Sequence, residues 1–126
     1  LNNIIYGNEK KNISTSEILN LLKEFNTFKK EDEYVLDKIV SNKTLSSGQM
    51  QKIGFIRILL SKPEIILLDE STSNLDTESK SIVFKKLKEN NTTIINSTHD
   101  PQNFDFVDHH YEITINNERR EVKKVF

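Results

Sequence analysis

Ile65-Ile66-Leu67-Leu68-Asp69-Glu70 is a run of four aliphatics that closes on two carboxylates. Four successive aliphatics cannot lie half exposed on a sheet without polar residues alternating between them, so Glu64 to Leu68 reads as a strand buried on both faces. A second strand-like run with β-branched residues, Thr92 to Asn96, leads into Ser97-Thr98-His99-Asp100. Between the two, Asp76 can cap a helix from Thr77 to about Glu89, with Ile82, Val83 and Leu87 on its packing side. Strand, helix, strand is βαβ order, and such crossovers make parallel neighbours. The acidic pair and His99 then arrive at the same edge of one parallel sheet.

Upstream, Pro63 stops a helix that opens at Ser46 and ends near Ser61, with Met50, Ile53, Ile56, Leu59 and Leu60 as its inner face. Ser41-Asn42-Lys43-Thr44 is a polar loop before it. Phe28 to Val40 is mixed, with a solvated charge cluster at Lys29 to Glu33 and weak packing signals at Tyr34, Leu36 and Ile39. Ser14, with Glu17 three residues on, begins another helix running to about Asn26. Ile18, Leu21, Leu22 and Phe25 form its buried stripe. Leu1 to Tyr6 reads as a strand end or docking segment, followed by a polar turn over Gly7 to Asn12. Downstream, Ser71 to Leu75 is a turn, Pro101 to Val107 a connector, and Tyr111 to Ile115 with Arg119 to Val125 a hairpin around Asn116-Asn117-Glu118. The fold class is therefore α/β. A helical unit over 1–61 precedes a parallel-strand core over 62–126 that ends in a β-hairpin.

The 126 residues allow one modest domain, and 18 basic against 19 acidic residues leave a net charge of −1. That balance argues against nucleic acid or an anionic membrane as the main partner. Zero cysteines exclude disulfides, thiolate chemistry and cysteine zinc sites. No stretch approaches about 18 consecutive apolar residues, so the polypeptide is expected to be soluble, with neither a membrane span nor a signal peptide. Opening at Leu1 without Met, with structure from the first residues, it reads as a cut piece of a longer protein.

The motifs suit phosphate chemistry. Hydrolysis of a nucleoside triphosphate needs Mg²⁺ opposite the phosphates, an oriented water, and donors against developing charge. Asp69 at a strand end can hold Mg²⁺ directly or through water. Glu70 then faces the attacking water as acceptor or general base, and His99 can donate to a γ-phosphate or fix the water and Glu70. His109 and His110 read as surface residues. Leu45-Ser46-Ser47-Gly48-Gln49 places hydroxyls and backbone N–H groups at a helix start, where an anion is welcome, and Gly48 permits close approach. The sequence holds no glycine-rich loop ending in Lys-Ser or Lys-Thr. A small metal-dependent hydrolase or phosphatase using Asp69, Glu70 and His99 is a competing reading that lacks a third ligand. A bland α/β domain is another.

With these residues in place, the chain resembles the nucleotide-binding domain of ATP-binding cassette (ABC) transporters. Leu45 to Gln49 resembles that family's signature motif, with Met50-Gln51-Lys52 and Arg57 continuing its helix. Ile65 to Glu70 resembles the Walker B strand with its catalytic glutamate, Ser73-Asn74-Leu75-Asp76 the D-loop, and His99 the switch histidine. Ser47 replaces the first glycine of the usual signature, which leaves the helix start intact. Leu1 to Gly7 is similar to the segment after the Q-loop of exporters, particularly those that move peptides or bacteriocins. The resemblance covers residues 1 to about 120.

It implies a partial P-loop NTPase fold without the Walker A strand and loop, and ATP and Mg²⁺ as ligands of the complete domain. Asp69 would be the metal ligand, Glu70 and His99 catalytic, and Ser46, Ser47, Gly48 and Gln49 in contact with nucleotide, with Asp76 at the seam between domains. The implied partners are the missing N-terminal half with Walker A and Q-loop, a second nucleotide-binding domain head to tail, and a transmembrane domain. The implied setting is the cytoplasmic face of a membrane. Without its phosphate loop the fragment is expected to be inactive alone and prone to oligomeric or swapped assembly. The alternative within the same resemblance is a non-catalytic module that binds a complete ATPase domain or a membrane domain through residues 1–40.

Overall fold

The computed structural model describes residues 1–8, 12–28, 36–37, 43–99, 107–116 and 119–126. Among these residues four helices and four strands follow one another as α1 (Asn2–Ile5), α2 (Thr15–Glu24), α3 (Ser47–Ser61), β1 (Ile65–Asp69), α4 (Thr77–Glu89), β2 (Thr93–Ser97), β3 (Tyr111–Asn116) and β4 (Arg119–Lys124). The mixed α/β class expected from the sequence is what is observed.

Capping chemistry sets three of the helix starts. Ser14 Oγ accepts the N–H of Glu17 at 3.1 Å to open α2, and Asp76 accepts that of Ser79 at 2.8 Å to open α4. At α3, Ser46 and Gln49 make a reciprocal capping box. Helix α3 ends at Ser61, where Lys62 adopts a left-handed φ of 47° and returns its N–H to Ile58 and Leu59. Pro63 then prevents continuation. Helix α2 stops at Glu24, before the expected Asn26, which itself takes a φ of 46°.

The first residues depart from expectation. Asn2 to Ile5 form a single helical turn rather than a strand end, with the Leu1 carbonyl accepting from Ile4 and Ile5. Ile4 is buried and α1 lies on α3. No described strand pairs with this segment, and the turn gives the Ile4 and Ile5 N–H groups their partner.

Helix α3 is the hub, packing on α1, α2 and α4. That position corrects its expected inner face. Phe55 is buried along with Ile53, Ile56, Leu59 and Leu60 because neighbours cover more than one side, while Met50 sits in the first turn and is exposed. These residues join Ile18, Leu22, Phe25, Ile66, Leu68, Val83 and Leu87 in one contiguous core.

Strands β1 and β2 pair in parallel with Ile65 opposite Thr93 and Asp69 opposite Ser97. The prediction that β1 is buried on both faces is corrected: Ile66 and Leu68 face the core, but Ile65 is 61% and Leu67 73% exposed. On one side of the sheet α4 packs against β2, and Ile66 and Leu68 join the core cluster with α3 and α4 side chains, whereas no described element buries Ile65, Leu67 or Ile95 on the other. The C-terminal hairpin forms as expected, β3 antiparallel to β4 with Ile113 opposite Val122. The predicted connector lies outside the described residues over 101–106, as do Tyr34, Ile39, the cluster 29–33 and Ser41-Asn42. Leu36 is partly buried against the core. His109 is exposed as expected, whereas His110 is half-buried, its ring edge-on to Phe126 at 5.6 Å.

Candidate functional site

Parallel pairing carries the last residues of β1 and β2 to the same sheet edge, where ligands of open α/β sheets bind. Glu70, immediately after β1, donates its N–H to the Ser97 carbonyl at 3.0 Å and adopts a left-handed φ of 46°. A non-glycine residue pays a backbone strain of about 1–2 kcal/mol for that conformation. The bend ends the strand and turns the carboxylate toward β2. There, His99 Nε2 donates to Glu70 Oε1 at 2.9 Å, an ion pair whenever the imidazole is protonated. The His99 side chain is 95% exposed and that of Glu70 about half exposed, so both face open space.

Asp69 shares the uncovered face of β1 with Ile65 and Leu67 by strand alternation, and it is exposed. Its backbone N–H and carbonyl are both engaged by Ser71 Oγ, at 3.2 and 3.1 Å, which leaves the carboxylate as its open group. Among the described residues no cluster of three or more His, Cys, Asp or Glu could hold a metal. Magnesium keeps several waters and can be bound through one or two carboxylates, so Asp69 fits that ion.

At the start of α3, Ser46 Oγ accepts the N–H of Gln49 at 3.2 Å while Gln49 Oε1 accepts that of Ser46 at 3.0 Å. The other end of the Gln49 amide donates to the Thr27 carbonyl at 3.0 Å. Both ends of the amide therefore serve the protein's own backbone. Ser46 and Ser47 are exposed, and as first-turn residues Ser47 and Gly48 have no carbonyl one turn earlier to receive their N–H groups. The arrangement leaves hydroxyls and N–H groups available to an anion.

Sequence reasoning gave Gly48 the task of admitting a phosphate. The structure adds a second requirement, since a Cβ there would meet the Asn74 carbonyl at 3.1 Å. The turn that follows Glu70 thus lies against the start of α3. Two side chains bind them: Gln51 Oε1 accepts the Asn74 N–H at 3.1 Å, and Lys52 Nζ lies 2.9 Å from Asp76 Oδ2. Lys52 first, then the Ser79 N–H, hold the Asp76 carboxyl down at about 2 against the opposing effect of burial. The sequence places Gln51 and Lys52 only as a continuation of the helix after the Ser-Ser-Gly start, with no tie to the turn after Glu70. The readable signal was that Lys52 shares the apolar stripe of Ile56, Leu59 and Leu60, where a cation needs a partner.

A hundred or so residues of this kind have many relatives. Residues 2–73 match the ABC transporter family. The lipoprotein-releasing system ATP-binding protein LolD of Buchnera aphidicola is 33% identical over 102 residues, covering 78% of this chain and 42% of that protein. ABC transporter B family member 13 of Arabidopsis thaliana is 38% identical over 100 residues, 74% of this chain and 8% of the relative. The sublancin-168-processing and transport ATP-binding protein SunT of Bacillus subtilis is 37% identical over 78 residues, 61% of this chain and 11% of the relative. The chain thus spans less than half the length of each. Its matched span takes in the exposed start of α3, β1 and Glu70, so the geometry and the relatives converge: the chain belongs to the ABC transporter family.

Proposed function

We propose that this chain is part of the ATP-binding, ATP-hydrolysing domain of an ABC exporter, in which hydrolysis drives transmembrane transport. The observation that carries the reading is the 2.9 Å contact between His99 and Glu70, delivered by neighbouring parallel strands to one open edge. Glu70 acts there as acceptor for the attacking water, and His99 orients Glu70 while presenting its ring to the terminal phosphate. Asp69 holds Mg²⁺, which when bound supplies positive charge against the phosphate oxygens.

Ser46, Ser47 and Gly48 serve the nucleotide of a second domain arranged head to tail, through the open hydroxyls and N–H groups of the α3 start. Gln49 contributes by fixing that start, and Asp76 stands beside the seam. The remaining partners are the half-domain with the phosphate loop and a transmembrane domain reached through residues 1–40, at the cytoplasmic face of a membrane. SunT, named for processing and transport of sublancin-168, favours a peptide exporter as the subtype. Residues 1–61 act as the helical subdomain and 62–126 as part of the catalytic core. The exposed Ile65 and Leu67 favour a fragment that needs cover, and its activity alone is expected to be absent.

The test is Glu70→Gln in the intact protein. MgATP hydrolysis should fall by roughly 10²- to 10⁴-fold while nucleotide binding persists. Undiminished turnover would remove Glu70 from the chemistry and with it the reading.

A further inference from the structure

We infer that Lys52 and Gln51 are positioning residues that lock the anion-facing start of α3 to the turn following Glu70, so that the part of this chain offered to a second domain's nucleotide and the part that carries its own Glu70 move as one body. The inference deepens the proposed ATPase reading and rests on it. Three contacts join the same two segments within a few residues. Lys52 Nζ meets Asp76 Oδ2 at 2.9 Å, Gln51 Oε1 takes the Asn74 N–H at 3.1 Å, and Gly48 packs so near the Asn74 carbonyl that a Cβ would sit 3.1 Å from it. One contact between exposed loops would permit sliding. A charge pair, a directed hydrogen bond and a steric stop fix separation and rotation together.

The charge pair is well supported on both sides. The Lys52 side chain is only 13% exposed, so its ammonium lies against protein with the stem buried in α3's packing face. Asp76 is held in turn by the Ser79 N–H and hydroxyl, at 2.8 and 3.0 Å, as the N-cap of α4. The lock therefore runs from α3 through the turn into α4, which packs on β2, the strand that leads to His99. Gln49 anchors the other side of the α3 start to Thr27, at the end of α2. An anion bound at Ser46 to Gly48 would thus be held at a set offset from Glu70's turn rather than on a free helix end.

Loss of Lys52 should disturb the chemical step more than nucleotide binding, because its ammonium is engaged by Asp76 and its side chain is only 13% exposed. In the intact protein, Lys52→Met should lower kcat for MgATP by about 10- to 100-fold, the effect expected of sub-ångström misplacement, with KM and nucleotide affinity within about twofold. Lys52→Arg, which keeps the charge and can reach Asp76, should restore most of kcat. In an Asp76→Asn background, Lys52→Met should cost little more, since the two residues form one unit. Gln51→Ala, a change at an exposed bond, should give a smaller loss in the same direction and serves if Lys52→Met does not fold. A Lys52→Met protein with unchanged kcat, additive losses in the double variant, or equal loss in Lys52→Arg would each overturn the inference while leaving the ATPase reading intact. No MgATP turnover by the unsubstituted protein would overturn both.

Discussion

Asp76 combines two tasks in one carboxylate, capping α4 and receiving Lys52, and its acidity records both. Its pKa lies at about 2 against an ordinary 3.8, lowered first by Lys52 and then by the Ser79 N–H. A depressed folded-state pKa contributes stability above the unfolded value and loses it as pH falls toward the folded one. The difference in unfolding free energy between the unsubstituted chain and Asp76→Asn should therefore be constant at neutral pH and shrink as pH falls from 3.8 to about 2. Chemical denaturation across that range measures it, and a difference that grew on acidification would show that the carboxylate is not favoured in the fold. The side chain is about half exposed, so salt should weaken the effect. At this scale the sequence was legible in part. Asp69, Glu70, His99 and Asp76 stand at the element ends where the pattern put them, because strand termini and caps leave strong local marks. Lys52, the double engagement of Gln49 and the buried Asn8, which donates to the Arg57 carbonyl, depend on tertiary neighbours and left weak ones.

Among the elements, those with a long period and a cap were readable and those defined by a neighbour were not. Helices α2, α3 and α4 begin where Ser14, Ser46 and Asp76 predicted, and β1 with β2 pair in parallel as βαβ order required. Leu1 to Tyr6 reads as a strand end or a docking segment because one helical turn is too short to show a period, and the segment is a helical turn that docks on α3. Phe55 and Met50 changed places relative to expectation for the same reason: three neighbours around α3 widen its buried face, and the first turn projects beyond them. That first turn supplies an element-scale prediction. Gly48→Ala would ordinarily favour a helix, Ala being about 1 kcal/mol better than Gly. Here the new Cβ meets a backbone carbonyl at 3.1 Å, and the turn bearing it is tethered by Gln51 and Lys52. Overpacking of about 1–3 kcal/mol should win, so the variant should melt lower by several degrees. In Gly48→Ala with Gln51→Ala the tether is loosened and part of the loss should return. An unchanged or raised melting temperature for the single variant would show that the turn gives way freely.

For the molecule as a whole, the uncovered side of the β1–β2 sheet dominates. Ile65, Leu67 and Ile95 are exposed on it, and the hairpin shows Tyr111, Ile113, Ile115 and Val122 along one face. A sequence of four aliphatics predicted burial on both sides of β1, and no described element supplies the second layer. Exposed apolar faces such as that of the paired Leu67 and Ile95 mark a site of association, and a net charge of −1 offers little repulsion to prevent it. Among the described residues neither outer edge of the β1–β2 sheet is paired, which adds unpaired backbone groups to the same region. Leu67→Lys with Ile95→Lys should therefore act with opposite sign in two settings. In the chain by itself the charges face water and repel copies, so sedimentation velocity over a concentration series should show self-association of the unsubstituted chain and a monomer for the variant. In the intact protein the proposed second layer covers these positions, where an uncompensated ammonium costs several kcal/mol, and the melting temperature should drop sharply. Equal tolerance in both settings would mean that the face stays open in the whole protein, and the need for a covering half-domain would fall with it.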